Sequence, residues 1–217
     1  MNSIHIRELL SVVAAATSSS HIVVNGTTMQ PLLPKTVDEL FSFWEQGLSA
    51  IALRGDEIVG HGAIEPLTAD NWYEFGAVWV HPSVRGSAQA GNGSHPHVGL
   101  RLYRAILGHH REKNILATTI NGAAMTVGWR ANMKPVRYNQ LPQHVWEATC
   151  CCPIQKTGVP RERNVGGCRM QGEMCFVRVT AETHERMGSP PLAELPVGKP
   201  TLGAVIPDDT IVILLAN

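Results

Sequence analysis

The sequence predicts one α/β (α+β) domain built on a mixed sheet. Three observations carry that expectation. Short apolar runs of strand length recur along the chain. Stretches with apolar residues at helical spacing stand between them. The resulting order, helix, hairpin, strand, loop, helix, strand, helix, strands, has no internal repeat and shows no second domain. At 217 residues and 44% hydrophobic, the chain suffices for one good-sized core with appendages.

The elements follow in order. "IHIRELLSVVAAATSSS" reads as a helix or a loose arm, and residues 1–34 are set apart on that ground. Its apolar run is short, rich in Ala and Ser, and Arg7 is followed at once by Glu8, which argues against a secretory signal. "KTVDELFSFWEQ" puts Val37, Leu40, Phe41 and Trp44 on one helical face, and Gly47 stops it. In "SAIALRGDEIVGHGAIEPL" two apolar runs flank Arg54-Gly55-Asp56-Glu57, a hairpin signal. "WYEFGAVWV" is a further strand, with Pro82 just past it. "HVGLRLYRAILGHHREKN" is an amphipathic helix with Val98, Leu102, Ala105, Ile106 and His109 along one face. "ILATTI" is a short strand and "NGAAMTVGWRA" a glycine-weakened helix. "PVRYNQLPQHVWEATC" and "EMCFVRVT" supply late strands, or a helix with a strand. After Thr183 the chain is rich in Pro and Gly until "TIVILLAN", a final strand. The expected division is therefore an arm or helix over 1–34, a main domain over 35–183 and an extension over 184–217.

Composition excludes several classes. The formal net charge is zero and the pI about 7.1, so no basic field points to nucleic acid. No basic amphipathic stretch suggests a membrane surface, and no apolar run approaches the ~20 residues of a membrane span. Five cysteines, three of them consecutive (Cys150, Cys151, Cys152), are no spaced disulfide framework. Reduced thiols and a cytoplasmic location are the expectation.

Between the strand ending at Val80 and the helix starting near Val98 lies "HPSVRGSAQAGNGSHPH". A helix start presents unpaired N–H groups and the positive end of the helix dipole, and small residues let an anion approach the backbone. Ser94 or His95 can cap this helix, with Pro96 in its first turn. The loop therefore suits a phosphate-bearing cofactor, or it is an ordinary Gly-rich connection.

The segment "WYEFGAVWVHPSVRG…HVGLRLYRAIL" resembles the centre of the GNAT superfamily, the acetyl-CoA-dependent N-acetyltransferases. "DEIVGHGAI" is similar to the family's hairpin, and "NGAAMTVGWRANMKPV" to its later Asn-x-x-Ala helix followed by a Gly-Phe strand start. Together these cover about Val37 to Val136. Arg85-Gly86 and His97-Val98-Gly99 match the two ends of the family's phosphate motif, with "SAQAGNGSHP" as an insertion between them. Ser94 stands where Arg or Gln is usual, and His95 where the first Gly is usual. Gly128 stands where many members carry a general-acid Tyr, and Asn132-Met133 replaces Gly-Phe.

The resemblance implies a mostly antiparallel mixed sheet flanked by helices, with two splayed central strands. It implies acetyl transfer from acetyl-CoA to a primary amine of a small molecule or peptide, by direct transfer with general-base assistance. Val78 and Val80 would hold the pantetheine arm. Arg85, Gly86, His97, Val98 and Gly99 would hold the pyrophosphate, and Asn121 completes the cofactor set. Glu74, at the start of the central strand, is the candidate base, with His81 second and Tyr138 the candidate proton donor. By the two-residue period, Glu74 should share a face with Gly76 and Val78. A homodimer accords with the family. The alternative function is a non-catalytic CoA-fold scaffold.

The cysteines keep three readings. Cys150, Cys152, Cys168 and Cys175 could hold zinc, which takes four such ligands tetrahedrally, although the spacing matches no standard pattern. They could be buried small apolar residues in late strands, or one could be a nucleophile.

Overall fold

The computed structural model describes residues 2–19, 22–24, 27–29, 34–85, 98–119, 122–136, 141–149, 174–178, 183 and 211–215. The chain divides into two units. Met1–Ile64, Gly76–His109 and Thr201–Asn217 form one, and Glu65–Phe75 with His110–Pro200 the other.

In the first unit, helix α1 (Ser3–Ser18) starts at Asn2, whose side chain accepts the His5 N–H. Ile6, Leu9, Leu10, Val13 and Ala14 recur at helical spacing and are buried. This segment is core, not a loose arm. A short antiparallel pair, β1 (Ile22–Val24) with β2 (Thr27–Met29), follows it.

Helix α2 (Val37–Glu45) opens on a reciprocal cap. The Thr36 hydroxyl accepts the Glu39 N–H while the Glu39 carboxylate accepts the Thr36 N–H. These bonds hold the Glu39 carboxyl below its ordinary pKa. The helix closes on Gly47 at φ 72°, with Leu48 N–H donating to Phe43 and Gly47 N–H to Trp44.

Strands β3 (Ser49–Arg54) and β4 (Glu57–Thr68) form the expected hairpin across Gly55-Asp56, with Gly55 at φ 60°. An irregularity lies opposite Ala52 and Leu53, where the register passes from Gly60 to Ile58. Strand β9 (Ile211–Leu215) pairs antiparallel with the other edge of β3. Helix α3 (Val98–His109) packs on this sheet, and its Arg101 donates to the carbonyl of Ile211 at 2.6 Å. The opposite face carries a core in which Ile6, Leu10, Leu40 and Phe41 of the two early helices meet Ile51, Ile58, Ala63, Ala77 and Trp79.

Strand β5 (Trp72–Val80), a neighbour of β4, begins in the second unit and ends in the first. In the second unit it pairs parallel with β6 (Asn114–Thr119) over three positions, Trp72↔Asn114, Tyr73↔Ile115 and Glu74↔Leu116. The other pairings are antiparallel: β6 with β8 (Met174–Arg178), and β8 with β7 (Lys134–Val136). Helix α4 (Gly122–Arg130) packs on β6, β7 and β8. It ends on Asn132 at φ 65°, with Met133 N–H donating to Gly128 and Asn132 N–H to Trp129. Asn tolerates that left-handed position. Helix α5 (Gln143–Thr149) covers a second core of Trp72, Leu116, Val136, Leu141 and Val145.

The sheet is thus mixed and mostly antiparallel, flanked by helices, with the described parallel ladder at the start of β5. Among the described residues no helix is long and apolar enough to cross a membrane.

Candidate functional site

The strand that should carry the chemistry is not regular. Ala77 sits at φ 48°, a left-handed conformation that costs an L-residue with a Cβ of order 1–3 kcal/mol. Phe75, Ala77 and Trp79 are buried in alternation, whereas Trp72 is buried on the other phase. The break in the alternation thus lies between Trp72 and Phe75, and from Glu74 to Val80 half-buried and buried residues alternate.

Ala77 is held by a side chain. His61 on β4 is fully buried, and its Nδ1 lies 2.9 Å from the Ala77 carbonyl oxygen. A carbonyl only accepts, so Nδ1 carries the proton and donates. Nε2 is then a bare lone pair, buried and without a hydrogen-bond partner among the described residues. Burial pushes the imidazole pKa down to about 4, more than the Ala77 bond raises it. His61 is thus a neutral donor at ordinary pH. Sequence reasoning missed this residue. The signal was there: a lone His inside the apolar run "EIVGHGAI" needs a partner once buried.

Past Ala77, Val78 and Val80 are half-buried on β5. His81 closes the strand, its N–H donating to Val59 at 2.9 Å. Its Nδ1 accepts the Ser83 N–H at 3.2 Å and lies 2.7 Å from the Ser83 hydroxyl, so the ring caps the turn Pro82–Val84. Ser83 beside it is exposed. Arg85 is exposed, and its Nε–H donates to the Val80 carbonyl at 2.7 Å. The guanidinium thereby folds back on the strand end. Val98 and Gly99 open α3. Val98 is buried against the sheet and Gly99 is half-buried.

Glu74 belongs to the second unit. Its Oε1 accepts the Thr118 hydroxyl of β6 at 2.9 Å, and the carboxylate is partly buried. A hydroxyl donor of this kind fixes the carboxylate's orientation.

Gly86, His97, Asn121 and Tyr138 lie outside the described residues, as do Cys150, Cys151, Cys152 and Cys168. Cys175 stands on β8, in register with Thr118 and Val136. Among the described residues no three His, Cys, Asp or Glu side chains gather as a metal set, and the zinc reading finds no support.

No protein-family model matches the chain, and no curated protein matches it in sequence. Solved structures similar in shape include two crystal structures. One is Rv2747 from Mycobacterium tuberculosis in complex with CoA and NLQ. It is 15% identical, with a TM-score of 0.49 over 82% of this chain and 96% of that one. The other is N-acetylglutamate synthase from Neisseria gonorrhoeae, complexed with coenzyme A and N-acetyl-glutamate. It is 16% identical, with a TM-score of 0.43 over 81% of this chain and 32% of that one.

Proposed function

We propose that the chain is a GNAT-type N-acyltransferase that moves an acetyl group from acetyl-CoA to a primary amine. The observation that carries this reading is the interruption of β5 at Ala77, just before the residues expected to line the acyl-CoA arm. A regular central strand would bond its neighbours along its whole length. A left-handed residue turns one peptide out of the ladder, where its polar groups become available to a ligand. The strand, the small-residue loop and the helix α3 supply the phosphate end of the same reading.

In this reading Val78 and Val80 bond the pantetheine amides, and the first turn of α3 at Val98 and Gly99 meets the pyrophosphate. Glu74 takes a proton from the substrate ammonium, and its bond from Thr118 keeps the carboxylate aimed. The free amine then attacks the thioester carbonyl. A C–N bond forms, the C–S bond breaks, and the attacking nitrogen gives up its remaining extra proton, which balances the one that the CoA thiolate takes up from Tyr138, the candidate donor. The acceptor is a small molecule or peptide amine.

Calorimetry with acetyl-CoA tests the reading. Micromolar binding by the wild type, lost in Gly99→Glu, is the expected result, because a carboxylate at the helix start repels phosphate. Glu74→Gln should leave that binding intact and lower turnover of an amine substrate by 100-fold or so. No binding at millimolar cofactor would refute the proposal and leave the scaffold reading.

A further inference from the structure

We propose that His61 is a positioning residue, which sets the peptide joining Ala77 to Val78 so that its N–H is presented to the carbonyl oxygen of a bound acyl thioester. The inference rests on the acyl-CoA reading above and adds to it a residue that does not touch the ligand.

The geometry comes from three relations within the first unit. His61 stands directly opposite Ile51 in the β3–β4 ladder, so the two side chains share a face. Ile51 belongs to the core formed with α1 and α2, as does Ala63 two residues on. The neighbouring Gly60 faces the other way, toward Val98 and Leu102 of α3. His61 therefore pulls the Ala77 carbonyl toward the α1–α2 side. The peptide bonds are trans, and in a planar trans peptide the N–H points opposite to the C=O. The Val78 N–H is thus directed to the α3 face, the side on which the helix start lies.

Two features show that this arrangement is imposed, not incidental. Ala77 holds a left-handed conformation with no glycine to relieve it. His61 is buried with one ring nitrogen unpartnered among the described residues, an energetic cost that a Leu or Val there would avoid. A donor held in place before the substrate arrives stabilises charge that develops on the thioester oxygen without having to reorganise.

The test titrates wild type, His61→Leu, His61→Asn and His61→Gln with two probes, CoA and acetyl-CoA, which differ by the acyl carbonyl. The wild type should bind both. His61→Leu should weaken acetyl-CoA about fivefold, the worth of one ordinary hydrogen bond, and leave CoA unchanged. His61→Asn carries an amide nitrogen where Nδ1 stands and should restore the acetyl-CoA affinity. His61→Gln places its nitrogen further out and should not. Equal weakening toward both probes would make His61 a folding residue and overturn the proposal, and so would no weakening toward either. Should His61→Leu fail to fold, the contrast between Asn and Gln decides, and equal behaviour of those two overturns it. A wild type that binds neither probe refutes the acyl-CoA reading itself, and this inference falls with it. A long-range proton–nitrogen spectrum that placed the His61 proton on Nε2 would overturn the inference without any ligand.

Discussion

Replacing Gly60 with alanine should destabilise the first unit by an amount that the structure lets one work out. A Cβ added at Gly60 would meet Val98 Cγ1 at 2.7 Å, Leu102 Cδ1 at 3.0 Å and Ala52 Cβ at 3.3 Å. Carbon atoms settle at about 3.5–4.0 Å, so α3 or the strand must give by about 1 Å. Val98 is stiff at χ1, and both Val98 and Leu102 are buried. Overpacking of this kind costs about 1–3 kcal/mol. The stiffer unfolded chain of the alanine variant returns about 0.4–1 kcal/mol. The net loss is about 1–2 kcal/mol, which for a chain of this size lowers Tm by about 2–8 °C. Thermal melts of Gly60→Ala, Val98→Ala and the double variant measure it. Val98→Ala alone should cost about 2 kcal/mol from lost methyl groups and the cavity left behind. The double variant should lose about 1 kcal/mol less than the sum, because the alanine at 98 removes the clash. A Gly60→Ala protein that melted at or above the wild type would refute the seating of α3 on β4. Strict additivity would refute the contact with Val98 in particular.

Two further outcomes follow from named contacts. The His61 pKa falls from 6.5 unfolded to about 4 folded, so between these values the unfolded chain binds the extra proton. The stability due to neutral His61 is complete above pH 6.5 and is lost as pH falls toward 4, about 3 kcal/mol in all. Urea melts from pH 7.5 to 4.5 should show this slope in the wild type and a shallower one in His61→Leu, and identical slopes would contradict the burial. Arg7 pairs with Asp38 and stacks over the Phe41 ring with Cζ 4.0 Å from its centre. Arg7→Ala should cost about 1 kcal/mol and Asp38→Asn less than half of that, since an exposed ion pair is worth little while the stacked guanidinium also covers apolar surface. Denaturant midpoints that reversed this order would show that the charge pair dominates.

The sequence was a good guide wherever a local pattern has one structural solution. Val37, Leu40, Phe41 and Trp44 with Gly47 after them could only be α2, and Gly55-Asp56 between two apolar runs could only be the β3–β4 turn. The period of Ile6, Leu9, Leu10 and Val13 was equally plain, yet a composition of Ala and Ser drew attention from it, and α1 proved to be core. The β1–β2 pair carried its own signal, Asn25-Gly26 between "IVV" and "TTM", within a stretch set aside as an arm. Ala77 is a different case. Nothing in an alanine marks a left-handed residue, because the conformation is held by a histidine that is distant in sequence. Glu74 could be chosen from its place at a strand start, but its bond to Thr118 depends on a parallel pairing that no local pattern announces.

The pairing of β9 with β3 bears on how the chain is made. During vectorial synthesis β3 emerges early and finds β4 at once, across a two-residue turn. Its other edge must wait until Ile211–Leu215 leaves the ribosome, after the other described strands have been translated. In that interval a row of backbone groups flanked by Ala50, Ile51, Ala52 and Leu53 stands open to any extended segment nearby. An open strand edge of this kind is a template for aggregation. Deleting the five residues of β9 would make that transient state permanent, and a fusion partner placed after β9 would delay its closing.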